Sequence, residues 1–128
     1  MLPYPQFMQK YHIEDIKFTY YTYKDGLELI GYAEHSAVAV GIIKAELLPR
    51  VNNVDMSRLV VGTGFRRIGI AQVFLTYLTS WGISKGASRI TCVLMNSSMV
   101  DDKYEHLDNY LVNNGFRHQG LLLEKKLR

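Results

Sequence analysis

Cysteine is almost missing from this chain of 128 residues: Cys92 is the only one. One thiol excludes an internal disulfide framework and any multi-cysteine zinc site, and it suits a reducing compartment. Proline is also scarce, and two of the three, Pro3 and Pro5, fall near the start. Residues 1–12 also show little periodicity and read as an N-terminal arm that packs over a sheet edge or frays. No apolar run reaches the roughly 18 residues a membrane helix needs, and no basic region followed by an apolar one opens the chain. The expectation is a cytoplasmic protein with no membrane contact. Basic residues are dispersed and the net charge is only +3, so no nucleic-acid partner is expected, while an anionic ligand is compatible. The four histidines, His12, His35, His106 and His118, have no metal-ligand spacing, and no metal is expected.

What the chain does have is apolar content, 48 %, enough for one globular domain over residues 1–128 with a real core. Ile16, Phe18, Tyr20 and Thr22 alternate with Lys17, Thr19, Tyr21 and Tyr23, and Asp25-Gly26 then signals a hairpin into Leu27–Tyr32. Ala37–Ile43 is apolar on both faces, as expected of a central strand covered above and below. Pro49, Asn52 and Asn53 mark a turn before a strand over Val54–Val61, which makes an antiparallel meander of four strands. From Gly69, the residues Ile70, Val73, Phe74, Tyr77, Leu78 and Trp81 recur at helical spacing until Lys85-Gly86. Ser88–Met95 reads as a strand. Ser98 and Asp101 read as the start of a second helix with Tyr104, Leu107 and Leu111 on its apolar face, stopped at Gly115, and a hairpin around Gln119-Gly120 closes the chain. The order β-β-β-β-α-β-α-β-β predicts an α+β fold, a mixed and mostly antiparallel sheet with two main helices.

The chemistry concentrates in Leu59–Ala71. A β-branched strand stops at Gly62 and Gly64, Arg66 and Arg67 follow, and Gly69 and Ala71 open the helix. The first N–H groups of a helix have no intrahelical partner and point outward at the positive end of its dipole, where a phosphate fits. Small residues allow close approach, and the two arginines hold their charge at any physiological pH. Taken alone, the same pattern also describes an ordinary strand-to-helix turn with two solvated arginines. A dinucleotide fingerprint is set aside, because its third glycine would fall on Arg67 and its acidic residue is missing at Met95-Asn96. A P-loop fails for want of Gly-Lys-Ser/Thr.

Arg66-Arg67-Ile68-Gly69-Ile70-Ala71 resembles the signature of the GNAT superfamily of acetyl-CoA-dependent N-acetyltransferases: Arg or Gln, two residues, Gly, one residue, Gly or Ala. Val61, Phe65, Asn96 and the Gly115-Phe116 pair also stand where that family has a strand-end valine, an aromatic, a strand-end asparagine and a helix terminus. The resemblance implies a GNAT fold and transfer of acetyl from acetyl-CoA to an amine by direct attack in a ternary complex. The pyrophosphate would sit on the backbone of Arg66, Arg67, Ile68, Gly69, Ile70 and Ala71. The pantetheine would run beside Leu59, Val60 and Val61, in a slot made where that strand splays from Ser88–Met95, with Asn96 contacting it. An N–H near Val60 or Val61 would polarise the thioester carbonyl.

The acceptor would be an amine on a small molecule, peptide or protein. The family's tyrosine acid would fall on Leu111, so Tyr104 or Tyr110 takes that place or each is a core or rim tyrosine. Asp55 is either a base acting through water or a solvated carboxylate near a turn. Asp25-Gly26 leaves no room for the helices that usually follow the first strand, so the acceptor side is open or closed by a second subunit in a homodimer. The departures also fit another class, a CoA-binding protein without turnover that acts through protein contacts on its tyrosine-rich hairpin.

Overall fold

The computed structural model describes residues 12–33, 37–65, 67–93, 109–120 and 122–127. The expected arm lies, but for His12, outside these residues, as do Arg66, Asn96, Tyr104 and His106. The strands are β1 (Ile16–Thr22), β2 (Gly26–Ala33), β3 (Ala39–Leu48), β4 (Asn53–Val61), β5 (Arg89–Val93), β6 (Arg117–Gln119) and β7 (Leu122–Lys126), and helix α1 spans Ile70–Ser84. They form one sheet in the order β1-β2-β3-β4-β5-β7-β6. β1–β2, β5–β7 and β6–β7 are antiparallel and β4–β5 is parallel, which is the expected mixed, mostly antiparallel α+β arrangement. β4 takes the middle place, with β3 beside it.

β3 starts two residues later than the apolar run and continues five residues beyond it, to Leu48. Lys44 and Glu46 are exposed while Ile43 and Ala45 are buried. That is the period-two pattern of a strand with one covered face. Pro49, which has no N–H, opens the short 3-10 turn that ends it.

The chain divides into two compact units, Met1–Ala45 with Arg58–Leu78, and Glu46–Ser57 with Thr79–Arg128. In the first, β1 pairs with β2 from Ile16↔Ala33 to Thr22↔Leu27, and Tyr23 N–H donates to Gly26 O at 2.8 Å. The turn is therefore centred on Lys24-Asp25, one residue before the expected Asp25-Gly26. No turn residue has a positive φ. Gly26 is needed for space instead, since a Cβ there would lie 3.0 Å from Tyr23 Cδ2. Phe74 of α1 is fully buried and meets Phe18 of β1 edge-on, with ring centroids 5.7 Å apart. Ile16, Leu27, Leu29, Val40, Ile43, Leu59, Ile70 and Leu78 complete this core.

In the second unit, β4 pairs with β5 from Asn53↔Arg89 to Met56↔Cys92. α1 ends over this unit in a Schellman turn, with Ala87 N–H on Gly82 O at 2.9 Å, Gly86 N–H on Ile83 O at 3.0 Å and Gly86 at φ 81°. Residues 109–113 are helical and end in the same way, at Gly115 with φ 98° and Phe116 N–H on Leu111 O at 3.0 Å. Val54, Met56, Ile90, Leu111, Phe116 and Leu123 are buried in this unit, as is Cys92, which is in register with Met56 and Leu123. Burial and then the nearby Asp55 carboxylate push the Cys92 thiol up to about 12. Only a thiolate is nucleophilic, so the native protein should resist iodoacetamide at pH 8 and react at once in denaturant, which mass spectrometry reads directly.

Candidate functional site

Residues 59–65 and 67–71 lie in the first unit as a strand end, a turn and a helix start. Leu59 is buried, Val60 is 52 % exposed and Val61 is half-buried. Gly62 N–H donates to Val40 O at 2.7 Å, and Phe65 N–H closes the 3-10 turn Thr63–Phe65 on Gly62 O at 2.9 Å. Consecutive amides of a strand point to opposite edges, so with Gly62 directed at β3 the N–H of Val61 faces the other way.

Arg67 and Gly69 both have positive φ, 67° and 105°, on either side of Ile68. A non-glycine residue held there is uncommon and marks a backbone fixed by its surroundings. Alternating left-handed and ordinary conformations turn successive N–H groups to one side, the concavity in which anions are held. Val73 N–H bonds to Gly69 O at 3.0 Å, so Gly69 is the N-cap and the N–H groups of Ile70, Ala71 and Gln72 precede the intrahelical ladder. A glycine cap offers no side-chain oxygen to those donors, and no acidic residue stands in the first turn. The positive end of α1 therefore suits an anion, and Arg67, exposed beside it, adds a full charge.

One residue that positions this turn was not singled out by its sequence. A Cβ on Gly41 of β3 would lie 3.2 Å from each of Ile70 Cγ2, Phe74 Cε2 and Val60 O. The missing side chain lets α1 lie directly on β3 and β4 at its first turn. A glycine inside an otherwise apolar strand is the signal that could have found it.

The candidate catalytic groups are placed elsewhere. Asp55 lies in the second unit as the third residue of β4, in register with Thr91 and half-buried. Burial, and then the Glu46 carboxylate, raise its pKa. Tyr110 lies in the helical residues 109–113, also in the second unit, half-buried, and burial raises its pKa. Its carbonyl accepts the Asn114 side-chain amide at 2.8 Å. The rings of Tyr20 and Tyr77 meet in the first unit at a tilt of 41°, centroids 5.3 Å apart, and burial followed by Tyr20 raises the Tyr77 pKa. Among the described residues, no helix is long and apolar enough to cross a membrane.

Residues 2–101 match the family model described as the acetyltransferase (GNAT) family. The fold is similar to a GNAT-family acetyltransferase of Staphylococcus aureus Mu50, with a TM-score of 0.67 at 18 % identity over 80 % of this chain and 69 % of that one. It is similar to the PaiA N-acetyltransferase of Thermoplasma acidophilum in complex with coenzyme A, TM-score 0.62 at 20 % identity, where 80 % of this chain spans 61 % of the other. An aminoglycoside 6′-N-acetyltransferase complexed with coenzyme A gives a TM-score of 0.62 at 15 % identity over 82 % of this chain and 74 % of that one. No curated protein matches the sequence.

Proposed function

This chain belongs to the GNAT acetyltransferase family, and from that premise we propose that it moves an acetyl group from acetyl-CoA to an amine by direct attack. The observation that carries the proposal is the glycine-led start of α1, with no acidic residue in its first turn, behind the positive-φ residues Arg67 and Gly69. The pyrophosphate of CoA would take the N–H groups of Ile70 and Ala71 together with the Arg67 charge, and Arg66 would add its own. The pantetheine would run along Leu59–Val61, with Asn96 as a further contact and the amide of Val60 or Val61 polarising the thioester carbonyl.

In the chemical step, the free amine attacks the thioester carbon, the C–S bond breaks, and the thiolate of CoA takes up a proton. Tyr104 or Tyr110 would supply that proton; the raised pKa of Tyr110 keeps its phenol protonated, as a general acid must be. Asp55 would take the acceptor's proton through water, and its raised pKa moves it toward the range a base needs near neutrality.

The test is calorimetry with acetyl-CoA followed by release of free thiol against an amine panel. Saturable binding is expected, and Arg67→Glu should weaken it roughly tenfold or more, since it exchanges a charge-assisted contact for a repulsion. Absence of binding, or indifference to Arg67→Glu, would sink the proposal. Binding without thiol release on any amine would leave the protein as a CoA-binding member of the family that has no turnover.

A further inference from the structure

β1 closes one end of the sheet, and among the described residues nothing pairs with its outer edge. Which backbone groups line that edge follows from the hairpin turn. Tyr23 N–H bonds to Gly26 O, so alternate residues back along the strand, Tyr21, Thr19 and Lys17, also direct their N–H and C=O at β2. Those of Ile16, Phe18, Tyr20 and Thr22 point outward.

Natural sheets guard such an edge with a very short strand, a proline, a bulge or several charges. β1 carries one charge, Lys17, and none of the rest: its seven residues run from Ile16 to Thr22 in unbroken register with β2. Tyr20 and Tyr21 stand 59 % and 50 % exposed on its two faces. A further strand therefore finds open backbone groups and an aromatic ring on either side.

The residues of β1 match a second copy of themselves. In an antiparallel pair about a two-fold axis at Thr19, the whole strand overlaps: Ile16 faces the partner's Thr22, Lys17 the partner's Tyr21, Phe18 the partner's Tyr20, and Thr19 the partner's Thr19. Outward residues then meet outward residues, which forms about eight backbone hydrogen bonds. No like charges meet, and Lys17 comes against a tyrosine ring, a favourable place for a cation. Thr19 falls at a position without backbone bonds, where opposed side chains approach most closely. Its Oγ1 has no hydrogen-bond partner within the chain. After a turn about χ1, each threonine hydroxyl gains the other.

We propose that the protein forms a two-fold dimer through β1, joining two sheets edge to edge. An unrelated extended peptide would use the same backbone groups without the Lys17–Tyr21 and Thr19–Thr19 matches, so a second copy suits the edge better. The proposal does not depend on the acetyltransferase reading.

Sedimentation of the full chain over a concentration series reads the dimer, and amide hydrogen exchange reads its geometry. The amides of Phe18 and Tyr20 should gain protection of about tenfold or more as the chain dimerises, while those of Thr19 and Tyr21, already bonded to β2, change less. Tyr21→Lys sets two like-charge pairs against Lys17 across the axis and should weaken the dimer roughly tenfold. Adding Lys17→Glu to that variant should restore it, and both positions are exposed, where the fold tolerates change. A chain that stays monomeric at every concentration overturns the proposal, as does a dimer indifferent to Tyr21→Lys or one that leaves the Phe18 and Tyr20 amides unprotected. Protection of those amides in a monomer would assign the edge to another segment of the same chain, such as residues 1–11, and overturns it as well.

Discussion

Gly69→Val should abolish most acetyl-CoA binding, a loss of more than about tenfold in affinity, at a stability cost of only about 1–3 kcal/mol. Gly69 has φ 105°, a conformation that side-chain-bearing residues rarely adopt. Among the described residues a Cβ there would meet only Ile13 Cδ1, at 3.9 Å. The penalty is therefore one of backbone conformation. The chain can relieve it by rotating toward negative φ, and that rotation re-aims the N–H groups of Ile70 and Ala71 on which the phosphate reading depends. Gly120→Ala is the matched control, because Gly120 stands at φ 62° between β6 and β7 with nothing among the described residues within 4 Å of its would-be Cβ. It should lose comparable stability and keep wild-type affinity. Calorimetry with acetyl-CoA and a thermal melt separate the two effects. If Gly69→Val binds as well as the wild type, the cradle is not at this turn.

The same turn illustrates how far sequence alone could reach. The glycine spacing after a β-branched strand foretold a strand-turn-helix, and the helix runs as its periodicity required, from Ile70 to the Gly86 cap. Both features are local, set within a few residues. The left-handed conformation of Arg67 was not legible, because arginine has no intrinsic preference for it and only the packing around the turn imposes it. Gly41 was missed for a similar reason: its value lies in contacts with Ile70, Phe74 and Val60 O, residues 19 to 33 positions away. The hairpin turn slipped by one residue because Gly26 is there to admit the Tyr23 ring and not to supply a positive φ.

The surroundings of Asp55 were harder still to anticipate. Asp55 taken alone could be a turn carboxylate or a base. Its half-burial follows from the parallel register with β5, a pairing across 36 residues that no local pattern encodes. The partnership of Asn53 with Thr91 arises from the same non-local pairing, whereas Glu46 acts on Asp55 from the preceding strand, nine residues away. Strand residues of this kind alternate correctly in sequence, yet which neighbour each one meets is decided by sheet order.

Phe74→Ala should lower stability by about 3–5 kcal/mol, a third or more of what a domain of this size usually has. The ring has no solvent exposure, meets Phe18 edge-on at 5.7 Å, and fills the space that Gly41 leaves open, so its removal deletes contacts on two strands at once. Urea denaturation should show the loss as a lower midpoint with little change in slope. Phe74→Leu keeps most of the volume and should lose less, about 1–2 kcal/mol, mainly through the aromatic pair. These variants also separate two roles of α1. If the ligand is held by the N–H groups of the first turn and Phe74 only supplies packing, acetyl-CoA at 100 times its dissociation constant should raise the stability of wild type and Phe74→Leu by the same increment, about 2.7 kcal/mol. A smaller increment in the leucine variant would mean that the ring, wedged against Gly41 one helical turn from Ile70, sets the direction in which those donors point.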